Sequence, residues 1–552
     1  MREALSKMKQ GKAGGPTGVT VDMIKASGEI GVEWITDLCN GVIREGKVPE
    51  DWQSSIIVPV YKGKGDTMQC SSYRAIKLLE HAMKVFERVL DARIREQVKL
   101  DDMQFGFTPG KGTTDAIFIV RQMIERFKEK GKKLNLAFVD LEKAYDRVPR
   151  EVTKWAMRKA GVEEWIVSIV MAMYEKVWSV VKLEHRDSDA FEIKVGLHQG
   201  SVLSPLLFII VMDVASKDIR MGLPWEALFA DDLTLVDEER RKLRERLLEW
   251  KGAMEAKGLK INMQKTKVME IGEERSNSKL KPTCEWPCGV CDGGVGSNSI
   301  LCIKCNRWVH GRCSGIKGSL KKFDGAFTCR KCMGLGVYDE NSTVGEGNER
   351  GFVLGEGTKL EVVDEFCYLG DLLDIEGGVD RAVEKRIGEG WNRFHSMKEL
   401  LTRKGISLKL KGRLYDSCVR SCLLYASETW AMKVCHEKDL ERAERRMVRW
   451  MCGVRLSDRV RTEELYRRLG IEEIGTKVRR GRLRWFGHVE RLNENCWQKR
   501  CRSLVVQGVK PRGRPKKTWM ETVKADMSKL GLSREDASDR VKWRRAIGPR
   551  TG

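Results

Sequence analysis

The sequence predicts an α+β protein with a mixed sheet in its amino-terminal half, a helical carboxyl-terminal half and a metal-binding insert between them. Three observations predict it. Apolar runs with strand character (SSIIVPVY, LNLAFVD, ALFADDLTLV) alternate with helix-period stretches through residue 272. Eight Cys and His residues in paired spacings interrupt that pattern between 288 and 332, and from Asp380 onward apolar residues recur at helical spacing.

Each element follows in order. Residues 1–135 alternate SSIIVPVY with the helix-like MKVFERVLDARIREQV, separated by Gly/Lys loops such as GKAGGPTG and PGKGTT. From 136 to 272 come two apolar strands that each end in acid, with helical patterns after each. ERSNSKLKPT breaks the periodicity, the Cys/His cluster fills 284–332, and VYDENSTVGEGNERG leads out of it. Strand character returns in KLEVVDEFCYLGDLL, so 345–378 completes the sheet. Residues 379–460 read as a helical bundle, and 461–552 as a basic helical region where Trp and Arg interleave before the run KPRGRPKKTW.

At 552 residues the chain has room for several cores. Lys and Arg outnumber Asp and Glu, 102 to 79, giving a formal charge of +23 that points to a polyanion, nucleic acid first. Of 17 cysteines, nine are scattered singly, seven stand at metal-ligand spacing and Cys284 beside them is left over, which indicates a reducing compartment rather than disulfides. The longest apolar run, Leu206 to Met212, is far below the roughly 20 residues a membrane span needs. An intracellular, soluble protein with no membrane partner is the expectation.

Asp140 ends the strand-like AFVD, and Asp231 and Asp232 sit between apolar runs at what reads as a hairpin tip. A strand end and an adjacent hairpin tip can bring three carboxylates together, and hard divalent cations such as Mg²⁺ relieve their repulsion. Two such ions would activate an attacking 3′-hydroxyl and stabilise leaving pyrophosphate. VGLHQGSVLSPLLF puts two glycines and Gln199 before an apolar helix, where backbone can approach a nucleotide closely.

With these blocks in this order, the chain resembles the reverse transcriptases of non-LTR retrotransposons over nearly all residues outside the insert. The resemblance implies a right-hand polymerase: fingers in 1–135, palm in 136–272 and 345–378, helical thumb in 379–460. It makes Asp140 the metal ligand of the first palm block and Tyr145 the gate against a ribose 2′-hydroxyl. Gln199 and Gly200 would support nucleotide and template, Asp231 and Asp232 would be the paired catalytic acids, and Lys265 the proton donor to pyrophosphate. Lys62 and Arg74 match fingers residues that clamp the triphosphate, and Tyr368, Leu369 and Gly370 the primer-grip turn. The fingers block departs from the family in reading Gly15-Pro16-Thr17-Gly18 where Asp is usual at the third position, and His198 stands where many relatives have Pro. Family members carry an endonuclease before or after the polymerase; none is seen in this sequence, so a truncated element is expected.

In the insert, Cys288-x2-Cys291, Cys302-x2-Cys305, His310-x2-Cys313 and Cys329-x2-Cys332 supply ligands for two closed tetrahedral Zn²⁺ sites. Their order resembles a plant-homeodomain finger, which implies that Cys288, Cys291, His310 and Cys313 share one zinc and Cys302, Cys305, Cys329 and Cys332 the other. Trp308 then occupies the place of a methyl-lysine cage wall, so a histone tail or another protein is a candidate partner. The functional expectation is an RNA-directed DNA polymerase using two Mg²⁺, an RNA template, a DNA primer and deoxynucleoside triphosphates, in the nucleus and also in the cytoplasm as a ribonucleoprotein. The competing reading is a catalytically silent, domesticated nucleic-acid or chromatin-binding descendant; the retained acids favour catalysis.

Overall fold

The computed structural model describes residues 1–63, 65–183, 186–272, 288, 290, 299–305, 307–314, 316, 327–329, 332–333, 351–511, 513 and 515–548. The chain divides into two compact units, residues 1–272 with 351–552, and residues 273–350. In the larger unit, β1 (Ser54–Tyr61), β2 (Tyr73–Leu78), β4 (Trp178–Val181) and β5 (Phe191–Glu192) form a sheet in the order β2-β1-β4-β5. A six-stranded sheet comprises β3 (Leu134–Val139), β6 (Glu226–Phe229), β7 (Asp232–Asp237), β8 (Lys267–Ile271), β11 (Phe352–Val353) and β12 (Lys359–Val362), in the order β11-β12-β8-β3-β7-β6. A separate hairpin pairs β13 (Glu365–Tyr368) with β14 (Asp371–Asp374), and in the smaller unit β9 (Ser299–Leu301) pairs with β10 (Trp308–His310).

Every residue of β3 is buried, so LNLAFV reads as a continuous apolar run rather than an alternation. It lies antiparallel to both β7 and β8. The helix Arg240–Glu255 covers the sheet with Leu243, Leu247 and Trp250, all fully buried. Arg246 of that helix donates to Glu226 at 2.7 Å and to the Val236 carbonyl at 2.7 Å, and Trp250 Nε1 donates to the same carboxylate oxygen at 3.1 Å. The insert leaves after β8, and β12 pairs in parallel with β8, so the sheet resumes where it was interrupted.

The helices after β14 divide between two apolar cores. Side chains from Val379 to Val478, including Tyr415, Trp430 and Met447, pack mainly with one another, around a buried Glu444 that accepts from Arg420 Nε at 2.7 Å and Tyr466 Oη at 3.0 Å. From Leu483 onward the side chains join the core of the sheet. Trp519 meets Phe118 edge-on at 4.7 Å, its Nε1 donates to the Glu428 carbonyl at 2.8 Å, and its backbone N–H donates to Glu125 at 2.8 Å. Burial pushes the Glu125 carboxyl up to about 7. The basic run before Trp519 lies along the same surface: Lys510 pairs with Glu129 at 3.1 Å and Lys516 with Glu376 at 2.8 Å.

The region after residue 461 is thus an integral part of the larger unit. Trp519→Ala removes a fully buried indole and should cost about 3–5 kcal/mol. Calorimetry should show the larger unit unfolding at a lower temperature in one transition that includes the sheet; a separate early transition confined to the carboxyl-terminal helices would contradict this packing.

Candidate active site

Val139 pairs with Leu233 across β3 and β7, so the next step of the register sets Asp140 opposite Asp232. Phe229 pairs with Asp232 across β6 and β7, leaving Ala230 and Asp231 as a two-residue turn. Ala230 takes φ +58°, the left-handed conformation that a type II′ turn requires of its first central residue and that is normally given to glycine. The three acids thus share one end of the sheet. Burial is the first cause that raises the Asp231 carboxyl pKa, with Asp140 adding to it. Asp232 is pushed up to about 6 by burial, then by Asp231 and Asp140. Its side chain reaches water, but at the floor of a concave cleft where protein displaces most of its hydration. Lys265 Nζ stands 3.4 Å from Asp140 Oδ2 and lowers the Asp231 carboxyl, partly offsetting the repulsion.

Two contacts that the sequence did not reveal hold the strained turn. Residues 103–106 run beside β6: Phe105 N donates to Leu228 O at 2.8 Å and Leu228 N to Met103 O at 2.9 Å. The fully buried Gln104 then accepts from the amides of Gly106 and Ala230 at 2.9 and 3.0 Å. A Cβ on Gly106 would lie 2.4 Å from Ala230 N, so the FGF glycine is required by the turn that carries Asp231.

Tyr145 sits on a short helix, Ala144–Arg147, its ring stacked on Phe208 at 4.7 Å and 22°. Its hydroxyl pKa is raised by burial and then by the Asp231 charge, which places it beside the acids. Asp146 Oδ1 accepts from Gln199 Nε2 at 2.7 Å, and Lys77 N donates to Gln199 O at 3.1 Å, tying the VGLHQG loop to β2. The sequence suggested that these glycines let backbone approach a nucleotide; the close approach seen is to the protein itself. A Cβ on Gly196 would meet Asp146 O at 2.7 Å and one on Gly200 would meet Lys77 O at 2.5 Å. His198 is buried against Tyr174, and burial holds its imidazole far below the usual range, at about 3, so it is a neutral packing group. Arg74 is exposed on β2, and Lys62 follows β1 with its N–H on Ser72 O at 2.9 Å. In the departing fingers block, the amide and hydroxyl of Thr17 bind the buried Glu80 at 2.8 and 2.7 Å. An Asp there would set two carboxylates against each other.

The third wall is the β13–β14 hairpin. Leu369 and Gly370, at φ +45° and +88°, are the two positive-φ residues of a type I′ turn. Phe366 stacks on Phe138 at 4.1 Å, and Tyr368 packs 5.5 Å from the same ring, so the hairpin rests on β3 itself. Tyr425 Oη bonds Leu369 O at 2.8 Å and Thr113 Oγ1 at 2.9 Å, and Arg386 donates to Gly370 O. Just beyond, the fully buried Asp371 takes two bonds from Arg121, at 2.8 and 2.7 Å. Asp140, Asp232, Gln264, Lys265 and the turn Tyr368–Gly370 line a cleft of about 720 Å³.

In the smaller unit the thiols of Cys302, Cys305, Cys329 and Cys332 lie within 4.8 Å of one another, as do the ligand atoms of Cys288, His310 and Cys313. This is the alternating pairing that the finger resemblance implies, and soft thiolates at this spacing fit a tetrahedral metal. Cys291, the expected fourth ligand of the second set, lies outside the described residues. Trp308 on β10 is partly exposed. The three acids do not close to within 4.8 Å as the cysteines do.

An acid whose pKa is raised by folding holds its proton in the native state after the unfolded chain has lost it. Stability therefore falls as pH rises from about 4 to about 6 for Asp232. Asp232→Asn should raise the melting temperature at pH 7 and leave it nearly unchanged at pH 4. Equal effects at both pH values would contradict the crowding of the acids.

Residues 61–306 match the family model for reverse transcriptase (RNA-dependent DNA polymerase), and residues 288–332 match that for the PHD-finger. A Pol polyprotein from the type-1 retrotransposable element R2 of Nasonia vitripennis is 27% identical over 283 residues, covering 50% of this chain and 27% of that protein. A probable RNA-directed DNA polymerase from transposon BS of Drosophila melanogaster is 26% identical over 280 residues, 48% of this chain and 31% of that protein. The RNA-directed DNA polymerase from mobile element jockey of Drosophila funebris is 23% identical over 494 residues, 87% of this chain and 46% of that protein. The chain thus spans between about a quarter and a half of these relatives' lengths. It carries a reverse transcriptase domain, similar to those of these retrotransposons, together with a PHD-like finger.

Proposed function

We propose that the protein copies RNA into DNA by nucleotidyl transfer at the cleft formed by the six-stranded sheet and the β13–β14 hairpin. The observation that carries this reading is the convergence of Asp140, Asp231 and Asp232 at one sheet end, beside an aromatic, Tyr145, and an amine, Lys265. Divalent ions, Mg²⁺ by preference, held between these acids and a triphosphate would polarise the attacking 3′-hydroxyl and neutralise the leaving oxygens. The chain's own groups do the rest. Tyr145, backed by Phe208, closes the space a ribose 2′-hydroxyl needs. Lys265 holds a proton where pyrophosphate leaves, and Arg74 and Lys62 on the β1–β2 hairpin bind the triphosphate. The Leu369–Gly370 turn, pinned by Tyr425 and Arg386, seats the primer end.

In this reading the sheet is the palm, residues 1–135 the fingers and the helices after Val379 the thumb. RNA template, DNA primer and deoxynucleotides are the partners, and the nucleus, where genomic DNA offers primers, is the compartment. The finger holds two structural Zn²⁺ and leaves Trp308 available to a histone tail or another protein.

Asp140→Asn or Asp231→Asn should reduce Mg²⁺-dependent extension of a DNA primer on an RNA template by about a hundredfold or more; undiminished extension would remove the assignment. Tyr145→Val should raise ribonucleotide incorporation relative to deoxynucleotide incorporation, whereas lost stability with unchanged sugar selectivity would make Tyr145 a packing residue only. Metal analysis should find two zinc ions per chain, and Cys302→Ser should remove one, because a cysteine-rich unit of this size folds around its metal; one or none in the native protein would refute the pairing.

A further inference from the structure

Away from the acids, the helices Asp380–Ser396 and Val434–Cys452 carry an aromatic ridge at their surface. Trp391 lies 5.7 Å from His395, His395 lies 5.7 Å from Trp450, and both tryptophans rest on the fully buried Phe394, at 5.8 and 5.6 Å. Trp450 is 39% exposed, an unusual placement for the largest apolar side chain at the end of a helix whose opposite face is well buried. Lys398 Nζ stands 5.0 Å from the Trp450 ring, and a groove of about 380 Å³ runs from Trp391 to Arg442 and Arg446, its acids Asp380, Glu384 and Asp439 paired with Lys433, Arg381 and Arg442. Of the four arginines of the second helix, Arg442 pairs with Asp439 and Arg445 with Glu441, and Arg449 donates to the Arg455 and Val460 carbonyls. Among the described residues, Arg446 has no acidic partner.

Partly exposed aromatic rings beside cations fit one class of ligand: unstacked nucleobases on a phosphate backbone. A duplex keeps its base faces hidden, and an acidic peptide would use the arginines and leave the rings without a role. We infer that this ridge is a binding platform for single-stranded nucleic acid, distinct from the acid cleft. Trp450 and His395 stack on bases, and Lys398 and Arg446 contact phosphates. On the polymerase reading, the strand held here is the unpaired stretch of template or displaced primer strand. The platform itself does not need that reading, because it binds without nucleotide or synthesis.

The test uses the full chain and two probes at fixed salt, an unstructured oligo(dT) and a DNA hairpin duplex. Trp450→Ala should weaken oligo(dT) binding about 5- to 150-fold, the loss of one base stack, with duplex affinity changed less than about twofold and the salt slope unchanged. Trp450→Phe should recover most of the affinity, which a merely structural role for the indole at this helix end would not produce. Arg446→Gln should flatten the oligo(dT) salt slope by about 0.7. An oligonucleotide of the same length with abasic sites should erase the difference between wild type and Trp450→Ala. Equal losses on both probes, or undiminished oligo(dT) binding by folded Trp450→Ala, would overturn the platform. Should Trp450→Ala melt early, His395→Ala in the Trp450→Phe background carries the same comparison. Loss of primer extension with oligo(dT) binding intact in Asp231→Asn would speak to the polymerase reading alone.

Discussion

The structure turns on the repulsion among three carboxylates that the six-stranded sheet forces together. Asp140 at the end of β3 and Asp231 and Asp232 at the β6–β7 turn are placed by antiparallel register, which side-chain movement cannot relax. Burial and mutual charge raise the carboxyls of Asp231 and Asp232, and Lys265 offsets only part of this at Asp231. An arrangement that costs stability in the unliganded chain is the one expected where cations complete the site.

Much of the surrounding fold holds that arrangement still. Gln104 and Gly106 clamp the left-handed Ala230, the hairpin of β13 and β14 rests on Phe138 of β3, and Arg121 locks the hairpin base through the buried Asp371. The helix Thr113–Glu129, which carries Phe118, Arg121 and Glu125, receives the carboxyl-terminal Trp519 on its other contacts. The basic carboxyl-terminal region is therefore connected to the acids through two layers of packing, and its tryptophans serve the core before they serve any ligand.

The sequence disclosed what local pattern encodes. β1 covers Ser54–Tyr61, the run SSIIVPVY, and the first helix after the sheet starts at Asp380, because hydrophobic period and turn chemistry are local. Asp140, Asp231 and Asp232 were legible as a strand end and a hairpin tip. What escaped depends on partners distant in the chain: Gln104 bonds Ala230 across 126 residues, Arg121 bonds Asp371 across 250, and Trp519 bonds Glu125 across 394. The close approach of the VGLHQG glycines to backbone of other blocks, at Asp146 and Lys77, escaped for the same reason. Nor does any local signal tell an indole that builds a core, such as Trp519, from one that stays exposed, such as Trp450.

Calorimetric titration of Mg²⁺ into the protein at pH 6, in buffers of different ionisation enthalpy, tests the central claim most directly. A carboxyl held near 6 at Asp232 must lose its proton when a divalent ion enters. Mg²⁺ should bind with proton release at pH 6, with release fading towards pH 8 and lost in Asp232→Asn. Mg²⁺ binding with no proton release at pH 6, or the same heat in wild type and in a variant with both Asp140→Asn and Asp231→Asn, would show that the acids do not form one cation site.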